Sequence, residues 1–291
     1  MKWTLAAALL PADRLLDVAR TAEEAGYSSV AMPDSVFFPE KVSAKYPYTK
    51  DGSRFWSPET EFIDPFVAIP AMAAVTTRLM FHTNVYKLPL RDPLLTAKHV
   101  ASIAVMSGNR FAFGVGLSWI PEEFSFTRTD MRTRGARTDE AIDILKLVCA
   151  GNGPEWVEYH GTHYDFDRLM ISPAPDRPVP IYVGGHSEPA LRRTARVGDG
   201  WISVNTTPDK IVAACERLHE LRASYGRADE PFDIIAGPVG NVSRDDYRRL
   251  EEAGVTECQA APWWQYGADF RDPAALRDAT LRFADEVIAQ Y

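Results

Sequence analysis

Gly184-Gly185-His186-Ser187 carries the most legible chemistry in this chain. Pro180–Val183 has strand character, and the residues from Ser187 onward read as a helix, so the glycine pair turns a strand onto a helix N-terminus. Such a turn gathers backbone N–H groups at the positive end of the helix dipole, which favours a phosphate or carboxylate. Glycines there let an anion come close to the backbone. The same residues also fit a plain tight turn in which Ser187 caps the helix. Taken alone, the four residues leave both readings open.

Three further groups follow strand-like runs: Pro33-Asp34-Ser35, Thr83-Asn84-Val85-Tyr86 and Gly114-Val115-Gly116-Leu117-Ser118-Trp119. They are small, polar or glycine-rich, with few ionisable side chains. A metal-dependent hydrolase would gather histidines and carboxylates at such places. His82, His99, His160, His163, His186 and His219 show no such grouping, so no metal site is expected. No Gly-x-Ser-x-Gly elbow occurs, and no spacing pairs a cysteine with a histidine. Backbone amides and aromatics instead suit a large planar cofactor that brings its own chemistry.

Alternating elements must position these groups. Strands are expected at Trp3–Leu9, Ser28–Met32, Leu79–Tyr86, Phe111–Gly116, Pro180–Val183, Gly200–Val204, Phe232–Ala236 and Val255–Ala261. Helices are expected at Ala12–Ala25, Pro65–Ala74, Pro93–Met106, Thr133–Ala150, Ser187–Val197, Pro208–Tyr225, Ser243–Ala253 and Pro273–Ala289. Short apolar strands between amphipathic helices are the pattern of a parallel sheet with helical crossovers. Eight such units in 291 residues point to a single (β/α)8 TIM barrel spanning residues 1–291. A doubly wound sheet is the second choice, weakened by the lack of G-x-G-x-x-G in the first βα turn. Glu23-Glu24-Ala25-Gly26 is echoed by Glu251-Glu252-Ala253-Gly254, each with glycine where a helix C-cap belongs, and Gly198 reads the same way.

Two segments exceed ordinary loop length. Residues 33–62, inserted after the second strand, bring Tyr46, Tyr48, Trp56 and other aromatics to the barrel's C-terminal face, as a pocket wall or as a small subcore. Residues 155–177, inserted before the fifth barrel strand, run back towards a strand's start, and a structural or interface role is expected there.

The net charge of −8 argues against a general nucleic-acid binder, and no apolar run is long enough to span a membrane. MKWTLAAALL resembles a clipped signal peptide but leads through Pro11 into an amphipathic segment, so a first strand is expected. Cys149, Cys215 and Cys258 are odd in number and far apart, which reads as reduced thiols in a cytoplasmic protein.

SVAMPDSVFFPE, YPYTKDG, PLRDPLLTAKHVASIAVMSGNRFAFGVG, EEF, TRGARTDEAI and IYVGGHSEPALRRTARVGDGW together resemble the bacterial luciferase-like superfamily, most closely its coenzyme F420-dependent branch. The resemblance runs from about the second strand to Trp201. It implies that Asp34 and Ser35 contact the cofactor, and that Thr83-Asn84-Val85 forms a bulge against its ring with Asn84–Val85 as the cis peptide. It further implies that Gly116, Leu117 and Ser118 line the ring, and that Gly184, Gly185, His186 and Ser187 bind the cofactor phosphate. Sugar-phosphate dehydrogenases of the superfamily carry an acidic Gly-Glu pair after the fourth strand. Here the stretch reads Leu117-Ser118-Trp119, which disfavours that substrate class, and Glu123-Phe124 reads as capping and packing the next helical turn.

The reading is an F420-dependent oxidoreductase that passes a hydride between cofactor C5 and a small organic substrate. Tyr46, Trp56 and Trp119 are the candidate substrate pocket, and Tyr48 and His186 are candidate proton donors. Arg128, Arg132, Arg134 and Arg137 are candidate partners for the carboxylates of the deazaflavin tail. The alternatives are an FMN-dependent monooxygenase on the same scaffold and a non-catalytic flavin or deazaflavin carrier. Partners are a small-molecule substrate and, by the resemblance, a second copy of the chain.

Overall fold

A computed structural model describes residues 1–47, 49–240 and 242–291. Tyr48, one candidate proton donor, lies outside the described residues. The strands are β1 (Lys2–Ala6), β2 (Ser29–Met32), β3 (Met80–Thr83), β4 (Tyr86–Lys87), β5 (Phe111–Gly116), β6 (Trp156–His160), β7 (Asp165–Met170), β8 (Ile181–Gly184), β9 (Gly200–Thr206), β10 (Asp233–Pro238) and β11 (Glu257–Ala260). In parallel register, β1 pairs with β2, β2 with β3, β3 with β5, β5 with β8, and β8 runs through β9 and β10 to β11. β11 returns to β1 with Trp3 opposite Cys258, closing an eight-stranded TIM barrel. The fourth and fifth barrel strands are therefore β5 and β8.

The helices are α1 (Leu15–Glu24), α2 (Pro65–Ala74), α3 (Pro93–Met106), α4 (Pro121–Phe126), α5 (Arg134–Val148), α6 (Glu188–Val197), α7 (Pro208–Ser224), α8 (Arg244–Glu252), α9 (Pro262–Tyr266) and α10 (Pro273–Glu286). Short α4 and α9 are additions to the repeating unit. Local chemistry sets several starts. Asp64, Asp92 and Asp272 each accept an N–H of the first turn ahead of a proline, at α2, α3 and α10. Ser243 and Asp246 form a capping box at α8.

The core has two layers. The larger lies between strands and helices and includes Trp3, Phe81, Phe111, Phe113 and Phe283. Inside the barrel Ala112, Tyr182, Ile202 and Ile235 pack together, with Val85 and Val204 above them. The Tyr182 hydroxyl donates to Asp233 at 2.9 Å. Near the strands' N-terminal ends Thr4 and Ser29 donate to Glu257 at 2.5 and 2.6 Å.

Most element positions agree with the sequence reading to within a few residues, and three features differ. The strand expected at Leu79–Tyr86 is two pieces, because the chain leaves the sheet at Asn84–Val85 before β4 rejoins β5. Residues 155–177 are an ordered insertion, since β6 and β7 pair as an antiparallel hairpin. Glu140 of α5 holds its tip by accepting N–H bonds from Thr162, His163 and Tyr164 at 2.9–3.0 Å. Gly26 and Gly254 have the positive φ of C-cap glycines (83° and 98°), but Gly198 has φ −78°. Its glycine serves close approach instead: a Cβ there would sit 2.8 Å from the Thr194 carbonyl oxygen.

Lys2–Ala6 is a barrel strand, and among the described residues no helix is long and apolar enough to cross a membrane. The three cysteines are free and buried, and burial pushes each thiol up to about 12.

Candidate functional site

The C-terminal ends of β3, β5 and β8 meet around one side chain. Past β3 the Asn84–Val85 peptide is cis, and Thr83 Oγ1 ties the departing chain to the Gly114 carbonyl of β5 at 2.6 Å. Val85 then lies between two glycines. A Cβ on Gly116 would come within 2.5 Å of one Val85 methyl, and a Cβ on Gly184 within 2.9 Å of the other. Gly184 thus makes room for Val85, and Gly185 alone shapes the following turn. The result is a floor of backbone and one valine at the barrel mouth.

Asn84 is held from the far side of the barrel. Its Nδ2 donates to Gln259 Oε1 at 2.6 Å, and Gln259 Nε2 donates to the Ser203 carbonyl at 3.4 Å. Asn84 Oδ1 is buried and has no hydrogen-bond partner among the described residues.

The mouth carries more charge than its strand-end residues suggest. Asp34 is buried and takes a two-pronged ion pair from Arg91 at 2.6 and 2.7 Å, plus the Lys87 N–H at 2.8 Å. Its two oxygens are therefore committed to the protein. Arg91 also lies over the Tyr86 ring, 4.1 Å from its centroid. Glu123 corrects the sequence reading, because it does not cap α4. Its side chain is fully buried, its Oε1 is ion-paired with Lys87 Nζ, and its Oε2 accepts from Ser118 Oγ at 2.6 Å. Ser118 also accepts the Ile120 N–H at 3.2 Å and has a φ of 62°, uncommon outside glycine. Phe124 packs in the interior as expected.

At the β8 turn Gly185 has a φ of 122°, a conformation open to glycine, and a Cβ there would lie 2.9 Å from Ala190 Cβ. Trp201 Nε1 donates to the Gly185 carbonyl at 2.8 Å and pins the turn. Ser187 occupies the N-cap of α6 but its side chain makes no capping bond. His186 Nε2 lies 3.2 Å from Ser203 Oγ, with its ring edge-on to Trp201. Burial and the nearby Lys210 ammonium hold the imidazole below its usual 6.5. At neutral pH His186 is therefore an uncharged hydrogen-bonding group rather than a ready proton donor.

The 33–62 insertion covers one side of the mouth. Tyr46 packs against Trp56 and Trp119 with centroids 5.1 and 5.3 Å apart. A cavity of about 390 Å³ lies beside them, lined by Trp56, Trp119, Phe38 and Arg54. Wall and subcore are thus the same cluster, with Tyr46 buried inside it and the two tryptophans facing the space. Glu122 ties this insertion to α4 by accepting the Ser43 N–H at 2.8 Å. Of the four arginines named above, Arg134 donates to the Met131 carbonyl and Arg137 to those of Pro89 and Asp130. Arg132 pairs with Asp130, and Arg128 is exposed. His160 pairs with Asp165 on the hairpin, and among the described residues no three His, Cys, Asp or Glu side chains group as a metal site.

Sequence reasoning missed Lys87, Arg91, Glu123, Ser203 and Gln259. Lys87 and Arg91 follow the bulge closely enough to be suspected, but nothing in the spacing links Asn84 to Gln259.

Comparison with known proteins agrees with this architecture. A family model described as luciferase-like monooxygenase matches residues 3–286. An uncharacterised protein of Mycobacterium tuberculosis is 40% identical over 257 residues, covering 88% of each chain. An F420-dependent glucose-6-phosphate dehydrogenase of Beutenbergia cavernae is 32% identical over 271 residues, covering 75% of this chain and 80% of that one. Among solved structures, an F420-dependent secondary alcohol dehydrogenase in complex with an F420-acetone adduct superposes over 100% of both chains, with a TM-score of 0.75 at 15% identity.

Proposed function

The chain belongs to the luciferase-like monooxygenase family, and from that premise we propose that it is an oxidoreductase using the deazaflavin F420. The observation that carries the reading is the mouth itself: a side-chain-poor floor of Val85, Gly116 and Gly184 beside the Gly185 turn at the N-terminus of α6. A tricyclic ring fits against such a floor. The α6 turn offers N–H groups and a helix dipole to a phosphate, and no Ser187 capping bond competes there. The buried, unpaired Asn84 Oδ1 supports the fit, because it lacks a donor that a ring N–H can supply.

When bound, a deazaflavin supplies hydride chemistry at C5. The chain's own part is positional. Val85 and the glycines support the ring, and Gly185, His186 and Ser187 hold the phosphate. Asp34 acts indirectly, by fixing Arg91 and the Lys87 backbone that follow the bulge. Trp56 and Trp119, together with Arg54 and Glu40, line a solvent-open space of about 390 Å³ that could admit a small organic substrate. F420 is preferred to FMN because a relative more than 30% identical is named as F420-dependent. An FMN monooxygenase is the second reading, favoured by the description of the family model.

The test is a fluorescence titration of the cofactor-free protein with F420 and with FMN. The proposal expects saturable F420 binding at least tenfold tighter than FMN. The reverse order refutes it in favour of the monooxygenase. Binding without turnover of any enone, imine or ketone would favour a carrier.

A further inference from the structure

Two hydrogen-bond chains end at the mouth, and each starts from a group that can play only one role. Lys87 carries an ammonium, which donates and never accepts. It engages Glu123 Oε1, and an ion-paired carboxylate only accepts. The Ser118 hydroxyl hydrogen must therefore point at Glu123 Oε2, 2.6 Å away. With the Ile120 N–H on one lone pair, Ser118 Oγ has one acceptor position left and no donor. On the other side the Ser203 carbonyl can only accept, so Gln259 turns its amide nitrogen towards it. Gln259 Oε1 then faces Asn84 Nδ2, and the chain ends in the buried acceptor Asn84 Oδ1. Asn84 follows β3 and Ser118 follows β5, its direct neighbour in the barrel.

We propose that this mouth reads hydrogen-bond donors: Glu123 and Lys87 are positioning residues that fix Ser118 Oγ as an acceptor, so the site favours the reduced, N–H-bearing form of its ring cofactor. The inference rests on the cofactor reading above. Two-electron reduction adds a ring N–H to a deazaflavin, at N1, and to a flavin, at N5. Each reduced ring brings a donor that its oxidised form lacks. N1 and N5 lie on opposite edges of the ring, so Ser118 Oγ, with one free acceptor position, serves one of them. The preference proposed is for the deazaflavin N1–H. A carboxylate–ammonium pair whose carboxylate is fully buried is costly to desolvate and is weak evidence of stabilisation in itself. Its effect on Ser118 gives it a function that a purely packing role does not.

The test measures the midpoint potential of bound F420 by spectroelectrochemical titration in the wild type, Glu123→Gln and Ser118→Ala. Tighter binding of the reduced form places the wild-type midpoint above that of the free cofactor. In Glu123→Gln, Lys87 claims the amide oxygen, the amide nitrogen donates to Ser118 Oγ, and the hydroxyl hydrogen swings away from residue 123. The preference for the reduced form should fall about tenfold, the worth of one hydrogen bond, which is about 30 mV for a two-electron couple. Ser118→Ala removes the hydroxyl acceptor, while taking the Ser118 partner from Glu123 Oε2 and the Ile120 N–H, and should show the same fall. A packing role for the pair would lower the melting temperature and leave the potential unmoved. Midpoints equal to wild type in folded, cofactor-binding variants overturn the proposal, as does a wild-type midpoint at or below that of the free cofactor. Absence of saturable F420 binding by the wild type overturns the functional reading instead.

Discussion

Gly116→Ala isolates the contact that shapes the floor of the mouth. The added methyl would lie 2.5 Å from one Val85 methyl, about an ångström inside ordinary carbon contact. Val85 cannot simply shift towards β8, because its other methyl already occupies the space a Gly184 Cβ would fill, at 2.9 Å. Overpacking of this kind costs typically 1–3 kcal/mol. Taking about 2 kcal/mol, a chain of 291 residues should melt about 3 °C lower. Val85→Ala alone removes two half-buried methyls and should cost about 1 kcal/mol. The decisive measurement is the double variant. If the clash is with Val85, adding Gly116→Ala to Val85→Ala should cost under about 0.5 kcal/mol, a coupling well outside additive behaviour. Urea unfolding of the four proteins gives the cycle. Additive costs would mean that Gly116 is needed for something other than Val85, and the description of the floor would be wrong.

Three other outcomes follow from the site and its supports. Asp34→Ala leaves the half-buried Arg91 without its carboxylate and should destabilise the fold by about 3 kcal/mol in urea unfolding; a loss below 1 kcal/mol with cofactor affinity abolished would mean that Asp34 touches the cofactor instead. Sulfate stays doubly charged across the histidine range, so if the α6 turn binds anions it should raise the apparent pKa of His186, which burial and Lys210 hold below 6.5; an NMR titration unchanged by sulfate speaks against the anion site. Burial pushes the Glu140 carboxyl up, but N–H bonds from His163, Tyr164 and Thr162 outweigh it and leave it below its ordinary 4.5. A carboxyl lowered on folding stabilises above its unfolded value and loses that contribution as pH falls through the folded one. Glu140→Gln should therefore cost about 1 kcal/mol at pH 7, and the gap from wild type should close below pH 4.5; a gap independent of pH would contradict the ionised contact.

The barrel was legible because its signals are local. Fully buried runs such as Phe111–Gly116 and Asp-Pro starts such as Asp92-Pro93 state element type within a few residues. What was not legible depends on pairing at a distance. Residues 155–177 read as a long connection because Trp156–His160 and Asp165–Met170 are short and have no fully buried position, so their alternation carries few apolar residues. Gly198 looked like Gly26 and Gly254, yet close approach to Thr194, Gly200 and Val183 explains it, not a positive φ.

The site divides along the same line, and the division explains why its electrostatics were underestimated. Residues at the strand ends, Asn84, Gly116, Ser118 and Gly185, could be placed by counting strands. Their charged supports enter from one or two turns further along the chain. Lys87 and Arg91 come from beyond the bulge, and Glu123 from a short helix that folds back over Ser118. A carboxylate seven residues past a strand end reads as a helix-start residue, since acidic side chains are favoured in a first turn. Only the closing of α4 onto the mouth buries Glu123 completely and puts it in contact with Lys87 from a different βα unit. Charge at this mouth is therefore paired before any ligand arrives. On the proposed reading a ligand would meet Ser118 as a hydroxyl whose hydrogen is already spent, and that orientation, rather than any free carboxylate, is what the ion pair would contribute to recognition.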